Sequence, residues 1–369
     1  MIDRLQRYAS SFSTFADDLV IPAAHGPARF ADVMADFQRE RFEALAPALM
    51  TVVAGRQPPI GRYWWEATKG ASKDSDLAVA MLWALAFAKR PLTIQVAAGD
   101  RDQANELRKC AKEITGLNLW LGQAIEVQAW KIVNPRTGSE CEIIAADVAG
   151  SHGARPDILI ANELSHVAKR EFIENLMDNL TKVPRGLGIV ATNAGFDPSW
   201  QFKWREHART SPDWAFHKYA KPAPWLSERQ VKEARIRNSE SRYRRLWGGE
   251  WVSPGGDAMP SDWIDRAIVR KGPLRERDYD LYQGAGLGVD LGLQGHHAAA
   301  VAVLSDDFNG KIRVAEVWDF KPPVVIDDVE AVIREAGERF GIRLIVADPW
   351  QFVGTAQRLE REGFTVILE

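Results

Sequence analysis

Glu66 to Ser75 reads EATKGASKDS. Before it stand the β-forming aromatics Tyr63-Trp64-Trp65, and after it runs the apolar segment Leu77 to Ala88. A strand, a loop of small residues, a lysine and a buried helix form the arrangement that cradles nucleotide phosphates. Backbone N–H groups of the loop and the helix N-terminus face the oxygens, and the lysine adds a point charge. The usual pattern is GxxxxGK[ST]. Here Lys69, Gly70 and Ala71 lead into Ser72, which stands where the second glycine is expected. Lys73 fits the lysine, Asp74 stands where a serine or threonine would hold Mg²⁺, and Ser75 comes one place late. The competing reading is a polar turn that caps a buried helix.

Working outward, apolar runs alternate with helical patterns. Leu92 to Ala97, Glu140 to Ala145, Asp157 to Ala161 and Gly186 to Ala191 read as strands. Asp100 to Thr115 has a capping Asp and helical spacing. Residues 1 to about 50 read as polar and amphipathic helices. Strands alternating with helices predict a largely parallel sheet covered on both faces. The run Pro156 to His166, PDILIANELSH, ends its apolar residues at Asn162-Glu163. An acidic residue at such a strand end binds Mg²⁺ in P-loop ATPases, and a following Glu orients the attacking water. Glu163 fits the second role; Asn162 stands in the first, with an amide oxygen but no charge. Thr192-Asn193, at the next strand end, is either a sensor of the γ-phosphate or an ordinary capped turn.

Gly248 to Asp280 reads as a linker, after which a new pattern starts. Leu287–Asp290, Ala298–Leu304 and Lys311–Phe320 are expected strands, the last two a hairpin around Asp307 to Gly310. A helix over Asp327–Phe340, a strand Leu344–Ala347, a helix Thr355–Glu362 and a strand Thr365–Leu368 follow. In that order the first and fourth strands are neighbours in an RNase H-like sheet. Asp290 and Asp348, at their ends, would then share one spot. Hard oxygen ligands of this kind hold Mg²⁺ or Mn²⁺ against a phosphodiester; the alternative is a pair of turn-capping aspartates. His296 and His297 are candidate ligands or plain loop residues. Arg229 to Arg245 is a basic helical stretch that either touches DNA phosphates or is a solvated face.

The bounds agree. The 369 residues are 46% hydrophobic and 26% charged, which suits two globular domains. A net charge of −3 gives no whole-chain footprint for nucleic acid, so any DNA contact must use local patches. Two distant cysteines, Cys110 and Cys141, point to neither a zinc site nor a disulfide framework, and a reducing cytoplasm is expected. The N-terminus lacks the pattern of a signal peptide and no apolar run is long enough to span a membrane, so a soluble protein is expected. The 14 tryptophans are read as core residues rather than base-stacking platforms.

The ordered set of segments resembles the large terminase subunit of tailed bacteriophages. The carriers are EATKGASKDS, VAAGDRDQANEL (Val96 to Leu107), SHGARPDILIANELSHV (Ser151 to Val167) and GIVATNAG (Gly188 to Gly195), then RLWGGEWV (Arg245 to Val252), GVDLG (Gly288 to Gly292) and VADPW (Val346 to Trp350). The resemblance implies an α/β chain with a P-loop ASCE-type ATPase domain built on a mostly parallel sheet, followed by a partial RNase H-like nuclease domain. The expected division is an N-terminal helical segment at 1–45, the ATPase domain at 46–252, a linker at 253–280 and the nuclease domain at 281–369. It further implies ATP and Mg²⁺ at the loop, with Lys73 on the β- and γ-phosphates and Asn162 and Glu163 at the ion and water. Thr192 and Asn193 would couple hydrolysis to motion, and Asp290 and Asp348 would bind Mg²⁺ or Mn²⁺ in the nuclease. Expected partners are double-stranded phage DNA, the small terminase subunit, the portal and prohead, and further copies in a ring, in the bacterial cytoplasm. A basic residue acting on a neighbouring subunit is expected among Arg101, Arg108, Arg136 and Arg155. The third nuclease carboxylate is not found before Glu369, so the chain is expected to be a piece of a longer one. The alternatives are another nucleic-acid translocase or helicase, or an assembly protein with a degenerate site.

Overall fold

Tyr63 to Ala67, Ile94 to Ala98, Ile158 to Asn162 and Leu187 to Thr192 are buried without alternation, as in strands covered on both faces. They belong to the first of two units, Met1–Trp263 and Ile264–Glu369, in a computed structural model. It describes residues 2–99, 101–145, 155–253, 266–268, 282, 284–292, 297–306 and 311–369.

The first unit opens with α1 (Ile2–Ser10), α2 (Phe12–Asp18), a hairpin of β1 (Val20–Ala23) and β2 (Gly26–Arg29), α3 (Phe30–Val33) and α4 (Asp36–Val53). β3 (Arg62–Ala67), α5 (Lys73–Phe87), β4 (Thr93–Ala98), α6 (Arg101–Leu117), α7 (Leu119–Gly122), β5 (Glu126–Val127), β6 (Lys131–Asn134) and β7 (Ser139–Ala145) follow. Then come β8 (Ile158–Asn162), a 3₁₀ turn (Leu164–His166), α8 (Arg170–Thr181), β9 (Leu187–Thr192), α9 (Trp200–Thr210), β10 (Trp214–Tyr219), α10 (Glu228–Arg237) and α11 (Glu240–Gly248). The eight-stranded sheet has the order β10-β3-β9-β8-β4-β7-β6-β5. It is parallel from β10 to β7 and closes with the antiparallel β6 and β5.

The predicted strands fall where the apolar runs stand, within a residue or two at each end. The strands β5, β6 and β10 were not expected, nor were two features of the N-terminal segment. Residues 20–29 form a hairpin, with Pro22 and Pro27 facing each other in its register. The segment expected as separate N-terminal helices is part of the main core: Tyr8, Phe12, Phe15, Leu19 and Phe42 pack with Trp65, Trp83 and the strands. Trp83 Nε1 donates to the Tyr8 carbonyl at 2.8 Å, which ties α1 to α5. The capping Asp100 lies outside the described residues. On the other sheet face, α8 and α9 bring Phe172, Ile173, Leu176, Leu180 and Ala208 onto Trp64, Leu159, Ala161 and Val190.

In the second unit β11 (Gly284–Asp290), β12 (Ala298–Asp306) and β13 (Lys311–Phe320) precede α12 (Ile326–Phe340), β14 (Leu344–Ala347), α13 (Val353–Arg361) and β15 (Thr365–Leu368). The sheet order is β13-β12-β11-β14-β15. β12 is antiparallel to both neighbours; β11, β14 and β15 are parallel. The first and fourth strands are therefore neighbours, as expected; the turn at 307–310 lies outside the described residues. Val329, Ile333, Ala336, Ala356 and Leu359 of the two helices pack on Leu287, Ala300, Ala302 and Ile345. Buried Glu330 receives Arg358 Nε at 2.8 Å and Arg334 Nη2 at 3.0 Å, pinning α13 to α12. Among the described residues no helix is long and apolar enough to cross a membrane.

Candidate functional site

The loop between β3 and α5 starts with Thr68 and turns at Gly70, whose φ of +79° is open to glycine and strained for other residues. Ser72 caps α5 in the same left-handed region, with φ 50° and ψ 25°. It thus adopts the backbone that the expected glycine would adopt freely. The cost is of order 1–3 kcal/mol and is offset by side-chain anchoring: Ser72 Oγ accepts Gln38 Nε2 at 2.8 Å and donates to Asp76 Oδ1 at 3.3 Å. The departure from the pattern is therefore one of residue type and not of geometry.

Below the loop lies a buried charge pair that the sequence did not reveal. Asp76, fully buried on α5, accepts Arg41 Nη1 at 2.9 Å and Gln38 Nε2 at 2.6 Å. Burial pushes the Asp76 carboxyl up, to about 7, while Arg41, Gln38 and Ser72 pull it down. The Arg41 guanidinium also lies 4.9 Å from the Trp65 ring. α4 therefore braces the first turn of α5 from beneath. From outside, Lys69 N donates to the Leu246 carbonyl at 2.6 Å and Trp225 Nε1 to the Gly70 carbonyl at 3.0 Å.

The strand ends β8 and β9 complete the site. Glu163, just after β8, has φ 49°. Its Oε1 lies 3.1 Å from Lys73 Nζ, the lysine being almost fully buried. Its Oε2 is buried without a hydrogen-bond partner. Asn162 Nδ2 donates to Asp74 Oδ1 at 2.6 Å. Burial raises the Asp74 carboxyl, against the Asn162 hydrogen bond. Thr192 Oγ1 accepts Ser165 N at 2.9 Å and donates to the Asn193 carbonyl at 2.8 Å, and Asn193 Nδ2 donates to the Ala67 carbonyl at 2.7 Å. The end of β9 is thus tied on one side to the turn after Glu163 and on the other to the start of the phosphate loop.

Lys69 to Ser75, Glu163 and Asn193 line one cavity of about 540 Å³, whereas Asn162 and Thr192 sit buried behind its wall and do not line it. Its other walls were not foreseen: Gln103 and Glu106 from α6, His166, and Arg242, Arg245 and Leu246 from α11. Gln103 Nε2 and His166 Nδ1 stand 3.2 Å apart. The stretch Arg229 to Arg245 divides: α10 presents a largely exposed, solvated face as one of its two readings had it, while Arg242 and Arg245 on α11 line this cavity. Arg108 bonds Asn105 within α6, Arg136 and Arg155 are exposed away from the cavity, and the Arg101 side chain lies outside the described residues.

In the second unit Val289 pairs with Ala347, so Asp290 and Asp348 leave adjacent parallel strands side by side. Both are exposed. Asp348 Oδ1 accepts Trp350 N at 2.7 Å, and Gln351 beyond it has φ 66°. His297 pairs with Asp319 at 2.7 Å, while His296 lies outside the described residues. Among the described residues no three His, Cys, Asp or Glu side chains gather into a metal site. Among the described residues, the non-glycine ones with left-handed backbone are Ser72 and Glu163, both candidate site residues, and Gln351, three residues after Asp348.

Two findings define the first unit. The loop strand β3 and the strand ending at Asn162-Glu163, β8, are separated by the added strand β9, and the lysine and glutamate meet over one cavity. That is a P-loop ATPase domain with an inserted strand. Residues 60–203 match the family model of the ATPase domain of the terminase large subunit. This part of the chain is accordingly similar to the ATPase domain of large terminases, and the resemblance to large terminase subunits of tailed bacteriophages holds. The fold of the whole is like that of the large terminase of bacteriophage HK97, at 16% identity and a TM-score of 0.53, over 98% of this chain and 84% of that one. The ATPase domain of the Thermus phage P74-26 large terminase (17% identity, TM-score 0.44, over 55% of this chain and 93% of that one) is a further match. So is the large terminase of a thermophilic bacteriophage (12%, 0.43, over 87% and 81%). No curated protein sequence matches the chain.

Proposed function

We propose that this chain is the motor subunit of a phage DNA-packaging machine, hydrolysing ATP to drive double-stranded DNA into a prohead. The observation that carries the ATPase half is the convergence of Lys73 and Glu163 over the cavity lined by Lys69 to Ser75. ATP phosphates fit the N–H groups of Gly70 to Ser75 at the start of α5. Lys73 then exchanges Glu163 for phosphate oxygens, and the freed carboxylate orients the attacking water. Arg242 and Arg245 line the cavity on the α11 side, where they would meet phosphate charge. The donor set also suits Mg²⁺, which keeps several waters and takes one or two carboxylates plus substrate phosphates. Asp74 offers a carboxylate at the cavity, and Asn162 Oδ1 is buried with no partner. Bound there, Mg²⁺ would neutralise charge on the phosphates. Thr192 and Asn193, through Ser165 and Ala67, connect Glu163 to the loop and are the proposed coupling element.

The test is ATP turnover with and without double-stranded DNA. The parent is expected to hydrolyse ATP faster with DNA, and Lys73→Ala to lose nucleotide binding by at least about tenfold, one charge-assisted contact being worth roughly 1.5–3 kcal/mol. A Lys73→Ala protein that binds and turns over like the parent would remove the ATPase role of this cavity.

The nuclease half rests on a separate observation, the adjacency of Asp290 and Asp348 on an RNase H-like strand order. Two carboxylates fall short of a full two-metal set, so the proposal is limited to both being ligands of a divalent ion at a DNA-cutting site. Mn²⁺-dependent nicking of plasmid DNA is expected to drop by at least about a hundredfold in Asp290→Asn and in Asp348→Asn. Unchanged nicking in either variant excludes that residue. The proposed layout is an ATPase domain at 46–252, a linker at 253–280 and a nuclease domain at 281–369. The small terminase subunit, portal and further copies of the chain are its proposed partners, in the bacterial cytoplasm.

A further inference from the structure

In the GxxxxGK[ST] arrangement the residue after the lysine is a neutral hydroxyl, and the anion stands at the end of the acidic strand. This chain has the opposite at both places: Asp74 follows Lys73, and Asn162 ends β8. The two side chains, 88 residues apart in sequence, meet at 2.6 Å, with Asn162 Nδ2 donating to Asp74 Oδ1. The direction of that bond is forced, because an ionised carboxylate only accepts. The other end of the amide, Asn162 Oδ1, is buried with no partner, on a residue only 1% exposed. Asp74 lines the phosphate cavity beside Lys73 and Glu163, in the first turn of α5, where free N–H groups favour an anion.

We propose that the two roles are exchanged: Asp74 supplies the anionic ligand for the divalent ion that accompanies ATP, and Asn162 is the neutral partner that holds Asp74 in place. The inference rests on the ATPase reading. It changes how the two departures from the usual pattern are read. Taken singly, each is a lost catalytic group. Taken together they conserve charge, since one carboxylate has moved from strand to helix while Lys73 and Glu163 stay. It also explains why a single repair toward the usual pattern is a poor change: Asn162→Asp alone would set two carboxylates 2.6 Å apart, a spacing at which like charges cannot both ionise without a cation between them.

The test measures binding of a fluorescent ATP analogue to the full chain, with Mg²⁺ and with EDTA, beside ATP turnover and the melting temperature. The variants are Asp74→Asn and the double Asp74→Ser/Asn162→Asp. Binding by the parent is expected to tighten about tenfold or more on adding Mg²⁺, a difference that follows from one charged ligand. In Asp74→Asn that gain is expected to shrink below about twofold, with EDTA binding retained. The double variant, which restores the usual placement, is expected to regain both the Mg²⁺ effect and turnover. A parent-like Mg²⁺ effect in Asp74→Asn overturns the exchange and leaves the ATPase reading standing, as does a double variant that folds, binds in EDTA and gains nothing from Mg²⁺. A parent that binds nucleotide in neither condition overturns both.

Discussion

Glu163→Gln is expected to lower ATP turnover by about 10²- to 10⁴-fold, the range for removing a positioned proton acceptor, while nucleotide binding changes by only a few-fold. The reasons are geometric. Glu163 is held in a left-handed backbone at φ 49°, which aims its side chain back across the cavity toward Lys73 instead of along the strand. One carboxylate oxygen meets that lysine at 3.1 Å and the other is buried with nothing to bond. A buried acceptor without a donor is costly and is relieved by a water molecule. Gln keeps the size and one acceptor but cannot take a proton. Steady-state turnover and equilibrium binding, measured on the same preparation, separate the roles. If both fall together, Glu163 is a binding group and another residue must orient the water.

Arg41→Ala is expected to cost about 3–5 kcal/mol of stability, the usual penalty for breaking a buried ion pair by removing one partner. Arg41 and Asp76 are 2% and 0% exposed, so water cannot replace the lost partner. The loss should depend on pH. Burial already holds Asp76 up at about 7, and without Arg41 it rises further. A carboxyl whose folded value lies above its unfolded value adds stability below the unfolded value and loses it as pH rises through the folded one. Arg41→Ala should therefore lag the parent less near pH 5 than near pH 8. Denaturant melts at the two pH values test this; an equal deficit at both would mean that Asp76 does not protonate in the variant.

The phosphate loop was legible because its signal is local: a strand, small residues, a lysine and an apolar helix follow one another within Tyr63 to Ala88. Asp290 and Asp348 were legible because each ends an apolar strand, and the order of elements alone makes those strands neighbours. The Gln38–Arg41–Asp76 brace was not legible. A polar side chain on a helix is ordinarily solvated, and only the tertiary packing of α4 on α5 buries these. Arg242 and Arg245 belong to a basic helical pattern that suits any anion, so the sequence could not place them at this cavity. The hairpin at 20–29 escaped notice because its prolines and glycine break the alternation that marks a strand. Asp74 and Asn162 were each seen as a departure; their contact across the fold made them one feature.

The double tie at the end of β9 bears on the form that motion can take. Hydrogen bonds of 2.7 and 2.9 Å, from Asn193 to the loop strand and from Ser165 to Thr192, tolerate a few tenths of an ångström before they fail. Such a joint does not stretch in proportion to load. In the proposed motor it would act as a latch, either engaged or released, and the stroke would be discrete instead of sliding by degrees.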